Sequence, residues 1–465
     1  MKTVNYKQYI NHLHFLQDSY NGGEDYRNPK YCSQVAKRSL FRESDLVGYN
    51  TKAFNSYLIP HEEEDPGSFE TRKELAKYLN IVEPVVSAYC SPLEQVKRTI
   101  ANEELATLFR KKEFYSDMDY PAFVKYAAKQ DALFGFGFVV IDYEVIEGQE
   151  PRLKVVYLNP IQVKEIYMSD DETRLEGILW EQGEQYIRVL RDVGFQLCME
   201  NEETDELVVV STVSFPEGIT FPVKTVYFQK DTSKEYPYGI SLVSDTADVA
   251  KSIYNQSSWL DEISRNAGFP FLSIPFNVGN GEIPAESKKT IGTKNALAYP
   301  ANSGTPSWVE SSGNSAKNIR EQISEEIKRA FQVKGLNSFE LIDSQAASGV
   351  SIKIRNSNFE SKAKDFLQNI KSLEEWIMST ASIYLGIEDG QYTIFYPNNI
   401  IAPDPSGEIQ NWLTLLNTAK EQGKQFNNQI FEFVFKKIID TAFSLSEDEK
   451  KLFGDMFVDV PNQTN

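Results

Sequence analysis

Few residues of this sequence are candidates for catalysis or metal binding, and their spacing does not suit either. The chain contains three histidines, His12, His14 and His61. His12 and His14 could share one strand face as a metal-binding pair, but no acidic or thiol side chain stands at ligand spacing beside them. Surface or partly packed imidazoles are the favoured interpretation, so no metal site is predicted.

Adjacent glutamates and one cysteine are the other candidates for catalysis. The glutamate pairs are Glu103-Glu104, Glu202-Glu203 and Glu374-Glu375. Because the chain has 67 acidic residues, solvated faces explain these pairs better than acid–base catalysis does. Cys90 lacks a plausible histidine partner, which favours a place in the core. No P-loop, nucleophile-elbow or H-E-x-x-H motif stands in a convincing context. We therefore expect no enzyme activity and no cofactor.

A glycine pair inside an aromatic stretch could suggest phosphate or base binding. Gly135 and Gly137 lie after a predicted helix and before a predicted strand, which is the wrong order for a phosphate cradle. A turn at which two backbones approach closely is favoured instead. Phe134, Phe136 and Phe138 lack flanking Lys or Arg, so packing is favoured over base stacking.

Composition and charge restrict the class of protein. At 465 residues the chain is too long for one ordinary core, and its hydrophobic fraction of 41% is ample for burial. A net charge of −19 argues against a protein that binds nucleic acid through a basic surface, yet it suits a surface past which DNA slides.

Cys32, Cys90 and Cys198 are widely separated, which favours reduced thiols and assembly in the cytoplasm. The N-terminus lacks a signal-peptide pattern, and the most apolar run, 132–141, is too short to cross a bilayer.

Periodicity in the first half predicts a helical block followed by a β domain. Helices are expected at 6–19, 32–39, 68–79, 82–100 and 120–134, the last after the N-cap Asp119 and ahead of Pro121. From residue 136 the period changes to two, which predicts a small antiparallel β domain partly open to solvent. Its strands are expected at 138–145, 153–158, 175–181, 185–190, 195–199, 207–212 and 224–228, with a strand-to-turn corner at Asn159-Pro160 before 163–167.

The second half returns to a helical period in an unusual order. A helix with an apolar face from Val243 to Ile263 is followed by a Gly-, Pro- and Ser-rich insert at 269–312, which predicts short strands on a protruding element. A second helix ends at Gly335, and a loop of small residues, 336–351, precedes a third helix at about 358–385, roughly 40 Å long at ~1.5 Å per residue. A strand at 391–396, helices at 406–422 and 425–443, and a short last helix that opens at a capping box, 446–449, complete the chain.

This order resembles that of a portal protein of a tailed bacteriophage. The likeness spans about residues 236 to 386. Its residues are Tyr238-Gly-Ile-Ser-Leu-Val, then the helix to Asn266-Ala-Gly-Phe-Pro-Phe-Leu-Ser-Ile-Pro275, and the small-residue segment Ser344-Gln-Ala-Ala-Ser-Gly-Val-Ser351. In the family, a similar "YGxS" start, helix and "G-x-P-x-L" end lead into the clip, and a similar small-residue segment forms the tunnel loop.

The resemblance implies a fold and a division of the chain. The fold class is α+β, mainly helical, with portal-like wing, stem, clip and crown parts. The expected parts are the wing 1–239 (helical block 1–135, antiparallel β part 136–230), a stem helix 240–268, the clip 269–312, a second stem helix 313–335, the tunnel loop 336–352, the long wing helix with its return strand 353–403, and the crown helices 404–465.

The resemblance also implies a function. Portal proteins form a ring, usually of twelve subunits, at one capsid vertex of the virion, and DNA passes through it during packaging and ejection. The implied partners are further copies of the chain, double-stranded DNA without sequence specificity, the terminase, a head-completion adaptor, and the major capsid and scaffolding proteins, with no membrane. The implied channel residues of the tunnel loop are Ser344, Gln345, Ser348, Gly349 and Ser351.

Charge and hydropathy agree with a conduit. A ring of about twelve chains would carry on the order of −200 charges and would largely repel DNA. Lys334, Lys353 and Arg355 are candidate cations near the constriction, although Lys353 and Arg355 could equally pair with acidic residues of a neighbour. The insert is too apolar for a small element left in solvent, which predicts contacts with neighbours or a partner. These apolar positions are Phe271, Ile274, Phe276, Tyr299 and Trp308. Another ring-forming or scaffolding virion component, and a soluble enzyme of unfamiliar class, remain alternatives.

Overall fold

The computed structural model describes most of the first 397 residues. The stretches outside the description are 5–9, 31–55, 62–63, 65, 116, 145–151, 172, 184, 202–205, 232–237, 268–270, 277–295, 301–306, 310–313, 337–348, 389 and 398–465. The chain divides into two compact units, one of Met1–Lys334 with Asp365–Tyr396 and one of Gly335–Lys364 with Pro397–Asn465. The predicted helices at 32–39, 406–422 and 425–443 and after 446 lie outside the described residues.

The described part of the protein is mainly helical with mostly antiparallel sheets, so the predicted α+β class is confirmed. The helices are α1 Ile10–Asn21, α2 Gly23–Arg27, α3 Pro66–Leu75, α4 Val82–Cys90, α5 Glu103–Arg110, α6 Tyr120–Phe134, α7 Ser244–Ala267, α8 Asn314–Val333 and α9 Gly349–Leu385. The strands are β1 Lys2–Val4, β2 Lys97–Ile100, β3 Phe136–Glu144, β4 Arg152–Leu158, β5 Val163–Met168, β6 Leu175–Gln182, β7 Gln185–Leu190, β8 Gly194–Glu200, β9 Leu207–Val213, β10 Val223–Tyr227, β11 Phe271–Phe276, β12 Ala296–Pro300, β13 Ser307–Val309 and β14 Tyr392–Phe395.

The single predicted β domain is in fact two sheets. One has the order β1-β5-β6-β7-β8-β9 and the other β10-β3-β4, and both are antiparallel throughout. The described apolar run of β3 is buried on both faces, whereas β9 is almost wholly exposed. That difference confirms a β region partly open to solvent. The predicted corner at Asn159-Pro160 is a turn, and the residues after it form strand β5, which pairs with β1 from the start of the chain. No local signal in the sequence indicates that pairing.

Helix α6 lies at the centre of the core. Asp119 caps it by accepting a hydrogen bond from the backbone N–H of Ala122 at 2.8 Å, and Gly135 ends it with a φ of +90°. Both ends agree with the prediction. Phe123, Val124 and most other apolar side chains of α6 are buried, so this helix is the surface on which its neighbours pack.

The helix predicted at 68–79 is α3, which ends earlier, at Leu75. Two other predicted helix bounds need larger corrections. The helix expected at 82–100 ends at Cys90, continues as a 3-10 turn over Ser91–Gln95 and gives way to β2. Pro92 accounts for the break because it lacks the N–H that an α-helix needs. Helix α9 begins at Gly349, about nine residues earlier than expected, so it includes the last residues of the predicted tunnel loop.

Candidate functional site

Helices α7 and α8 form an antiparallel pair in the place predicted for the stem. Near the middle, Gln256 Nε2 of α7 donates to Glu326 Oε1 of α8 at 2.8 Å. At one end, Lys334 Nζ, one residue past α8, lies 2.5 Å from Asp245 Oδ1 in the first turn of α7. Because the start of one helix meets the end of the other, the two run in opposite directions. The small sheet β12-β11-β13 is inserted between them in sequence.

The apolar seam of this pair is buried along only half of its length. Val243, Ala247, Ala250 and Tyr254 are buried, as predicted for this face of α7. Phe331, near the same end of the pair, is also buried. Farther along, the apolar side chains are only partly covered. These partly covered residues are Leu260 and Ile263 on α7, and Ile319, Ile323 and Ile327 on α8.

The segment Tyr238-Gly-Ile-Ser fastens the start of α7 to the end of α6. Ser241 Oγ donates to the carbonyl of Leu133 at 2.6 Å and accepts from the N–H of Val243 at 3.1 Å. A Cβ on Gly239 would lie 2.2 Å from the carbonyl oxygen of Gly135, and a Cβ on Gly135 would lie 2.6 Å from the N of Ser241. The predicted close approach of two backbones at Gly135 is therefore confirmed.

The end of α8 is held by backbone contacts as well as by charge. The hydroxyl of Tyr89 in α4 donates to the carbonyl of Lys334 at 2.9 Å inside the core. The next residue, Gly335, has a φ of +75°. A Cβ on Gly335 would lie 2.7 Å from the backbone N of Phe359, so only glycine fits there. Gly335 thus occupies a position that requires glycine, just before the segment predicted to be the tunnel loop.

A buried ion pair holds the second half of α9. Arg98 in β2 donates to Glu374 through Nε at 2.5 Å and through Nη2 at 2.9 Å, and Tyr396 also donates to this carboxylate. Glu374 is fully buried, and the side chain of Arg98 is 12% exposed. Burial lowers the pKa of Arg98, but the hydrogen bond and charge of Glu374 outweigh it, so this pKa is raised. The expectation that Glu374-Glu375 form a solvated pair is wrong for Glu374.

Further contacts fix α9 to strand β10 and to Phe228, the residue after it. Phe366 packs against Phe228 with ring centroids 4.9 Å apart. Asn369 Nδ2 donates to the carbonyl of Phe228 at 3.2 Å, and Lys224 Nζ donates to the carbonyl of Ser372 at 2.8 Å. Burial lowers the pKa of Lys224. All of these contacts lie after Asp365, in the part of α9 that belongs to the first unit.

The predicted channel and clip residues take the following places. Ser344, Gln345 and Ser348 lie outside the described residues, whereas Gly349, Ser351, Lys353 and Arg355 belong to the first turns of α9. Phe271, Ile274 and Phe276 lie in β11, Tyr299 in β12 and Trp308 in β13. The strand register sets Tyr299 opposite Pro275 and Trp308 opposite Leu272, so the predicted clip positions lie on neighbouring strands of one short sheet. These roles remain predictions.

The candidates for chemistry lie apart. His12 and His14 lie in helix α1 rather than in a strand, and the His12 ring lies 3.2 Å from Ser244 Oγ. Within the described part of the chain, no cluster of three potential metal ligands occurs, and no helix is long and apolar enough to span a bilayer. Glu103 and Glu104 are exposed in the first turn of α5. Cys90 is buried, and burial raises the pKa of its thiol to about 12. This is the core cysteine expected from the sequence.

Asp131 is a buried acid that the sequence did not reveal. Its side chain is fully buried in α6 and accepts a hydrogen bond from the hydroxyl of Tyr157 at 2.7 Å. Burial raises the pKa of this carboxyl from its ordinary value of 3.8 to about 8. The folded protein therefore holds a proton here near neutral pH that the unfolded chain releases. The bound proton therefore contributes to the stability of the folded protein. This contribution is complete below pH 3.8 and is lost as the pH rises to about 8.

Replacing Asp131 with asparagine is expected to remove that dependence on pH. Asparagine keeps an oxygen acceptor for Tyr157 but cannot ionise. Between pH 6 and 7, the free energy of unfolding of Asp131→Asn minus that of the wild type should rise by about 1.4 kcal/mol. Urea denaturation at the two pH values measures this difference. Equal differences at both would mean that Asp131 is ionised in the folded protein.

Comparisons with known proteins give similarity only in structure. No protein-family model matches the chain, and no curated protein matches it. Among solved structures, the chain is similar to chains in "Virion of native gene transfer agent (GTA) particle", "Neck of native GTA particle computed with C12 symmetry" and "Neck of empty GTA particle computed with C6 symmetry". Identity is 15% in each case, 80% of this chain and 88% of the other are covered, and the TM-scores are 0.42, 0.44 and 0.41, respectively. A likeness of this degree does not establish a function.

Proposed function

We propose that this chain is a portal protein, one subunit of a ring that forms the DNA channel at a single capsid vertex. In this proposal α7 and α8 are the stem, the sheet β12-β11-β13 is the clip, and the segment between Gly335 and α9 lines the channel. The clip would dock the terminase during packaging and a head-completion adaptor afterwards. The wing would contact the capsid protein. The role is structural and uses no catalytic residue.

The observation that carries the proposal is the antiparallel pair α7–α8 with a small sheet inserted between its helices. The pair has 24 and 20 residues, so it extends for about 30–36 Å at 1.5 Å per residue. The 37-residue helix α9 follows next in the described chain and is fastened to the first unit from Phe366 onward. Two antiparallel helices with a small sheet inserted between them in sequence are what a stem and clip require.

The partly covered seam of the helix pair supports assembly with further copies. Leu260, Ile263, Ile319 and Ile323 keep part of their surface open in a single chain. Apolar side chains that line up in this way along a helix pair mark a surface that another protein covers. In a ring, the stem helices of the neighbouring subunits would cover them.

The electrostatics of the described stem also suit a channel. Two cations of α8 are paired with acids of the same helix: Arg329 Nη2 lies 2.5 Å from Glu325 Oε1, and Lys317 Nζ lies 3.8 Å from Glu321 Oε1. Paired cations offer phosphates little net attraction, so DNA could move past without being held. With a net charge of −19 per chain, the ring as a whole would repel DNA.

The mass of the assembled protein tests this proposal. Twelve chains of 53.0 kDa give about 640 kDa, and a ring of similar number gives a mass close to that. Native mass spectrometry of the purified chain, alone and with its capsid scaffolding protein, should show one such species. A compact dimer under both conditions would contradict the proposal, and an open sheet or shell would favour a different virion component.

A further inference from the structure

Lys334 stands at the junction between the predicted stem and the predicted tunnel loop. The sequence marks it as a candidate cation for the DNA channel. In the structure it is only 8% exposed, and its ammonium lies 2.5 Å from the carboxylate of Asp245. A cation that is buried and already paired within its own chain is poorly placed to attract a phosphate.

We infer that Lys334 is a positioning residue: with Asp245 it closes the base of the α7–α8 pair and fixes the point where the tunnel loop begins. Its part in a channel rests on the proposed function, but the clamp itself is a feature of the single chain. The Lys334–Asp245 pair joins the end of α8 to the first turn of α7, which are about 90 residues apart in sequence. Closing so long a stretch at its base keeps the two helices in register.

The backbone around Lys334 is fixed from several directions. Its carbonyl accepts the buried hydrogen bond from Tyr89 at 2.9 Å, and its N–H donates to the carbonyl of Phe331 at 3.1 Å. The following Gly335 holds a left-handed conformation that other residues rarely adopt. The ammonium is thus the side-chain part of a junction that main-chain contacts also help to hold.

The position of Asp245 is also determined by its own helix. Its Oδ1 accepts the backbone N–H of Thr246 at 2.9 Å, and a carboxylate in the first turn is stabilised by the helix dipole. The carboxylate of Asp245 is therefore held by its own helix in a position where it can pair with Lys334. Its side chain is 58% exposed, so changing it should not unfold the chain.

The two roles of Lys334 predict effects on different measurements for a change at Asp245. If Lys334 contacts DNA, removing the neighbouring negative charge should strengthen association with DNA or leave it unchanged. If Lys334 and Asp245 form a clamp, Asp245→Asn should loosen the junction as much as Lys334→Met does. Asp245→Asn therefore separates the roles, because only the clamp predicts a looser junction and only the DNA contact predicts stronger DNA binding.

The test measures cleavage of the full-length chain by chymotrypsin between Leu336 and Gly349. Lys334→Met and Asp245→Asn should each raise the rate about three- to tenfold, and the double variant should not exceed the larger single effect. Lys328→Met and Glu325→Gln, on the exposed face of α8, are matched controls that should leave the rate unchanged. Binding of the same variants to a double-stranded DNA fragment is measured in parallel at several salt concentrations.

Three results would overturn the inference. They are an unchanged cleavage rate in Asp245→Asn, effects of the two single variants that multiply in the double variant, and weaker DNA binding in Lys334→Met together with stronger binding in Asp245→Asn. The cleavage rate is measured on the unassembled chain, so the experiment tests the clamp even if no ring forms. Failure of the portal proposal and failure of the clamp are thereby distinguishable.

Discussion

Replacing Glu374 with glutamine is expected to lower the free energy of unfolding by about 3–5 kcal/mol. Glutamine has nearly the same shape, but it cannot neutralise the guanidinium of Arg98, whose side chain is 12% exposed. The substitution leaves a charge inside the protein without a partner, and it also weakens the hydrogen bond from Tyr396. Urea denaturation followed by far-UV circular dichroism measures the loss.

The adjacent residue supplies the control for this prediction. Glu375 is 47% exposed and forms only an i,i+4 pair with Lys371 at 3.7 Å. Glu375→Gln should therefore change stability by less than about 0.5 kcal/mol. If Glu374→Gln were as mild as Glu375→Gln, the ion pair would not hold α9 against β2. In that case the account of how the long helix is fixed would be wrong.

Replacing Gly239 with alanine is expected to lower the free energy of unfolding by about 3 kcal/mol or more, because the added methyl group would collide with the main chain at Gly135. The new Cβ would lie 2.2 Å from the carbonyl oxygen of Gly135 and 2.8 Å from its carbonyl carbon. Neither atom can rotate away as a side chain could. The expected result is a lower unfolding midpoint in thermal and urea denaturation, with the start of α7 displaced from the end of α6.

Gly183→Ala is the matched control. A Cβ on Gly183 meets nothing within 4 Å, but its φ of +67° is unfavourable for alanine. That substitution should cost only about 1 kcal/mol, from the backbone conformation alone. A Gly239→Ala protein as stable as the Gly183→Ala protein would show that the two backbones are not in contact at this junction.

Elements with a local pattern could be predicted from the sequence. Helix α6 was expected at its observed bounds because Asp119, Pro121 and Gly135 mark its ends. Strand β7 was also expected at its observed bounds, since alternation along Gln185–Leu190 is regular and turns flank it. The order of α7, the short sheet and α8 followed from composition and helical period together.

Features that depend on distant residues could not be predicted. The pairing of β2 with β14 joins residues almost 300 positions apart. The sequence assigned β2 to a helix, because Pro92 is the only local feature that indicates the end of the helix before it. Glu374 looked like one of many solvated acids until Arg98 was placed beside it. The start of α9 at Gly349 was also missed, because small residues suit a loop as well as a first helical turn.

The candidate site was predicted in outline and corrected in detail. The sequence located helices α7 and α8 and singled out Lys334 and Gly335, but it gave no sign that Asp245 and Tyr89 hold Lys334. Acids are frequent in this chain, and any of them could have paired with a given lysine. Only the folded structure shows which acid lies next to Lys334. For the same reason, the importance of Gly239 was visible only as a likeness to a family segment.

The measurement that tests the central claim most directly is electron microscopy of the purified, assembled protein, with class averages viewed down the particle axis. We expect a closed ring of about a dozen subunits with an axial hole wide enough for a DNA duplex, and with the stem and clip projecting from one side. A closed particle without an axial hole, or a compact dimer with a solid core, would contradict the account.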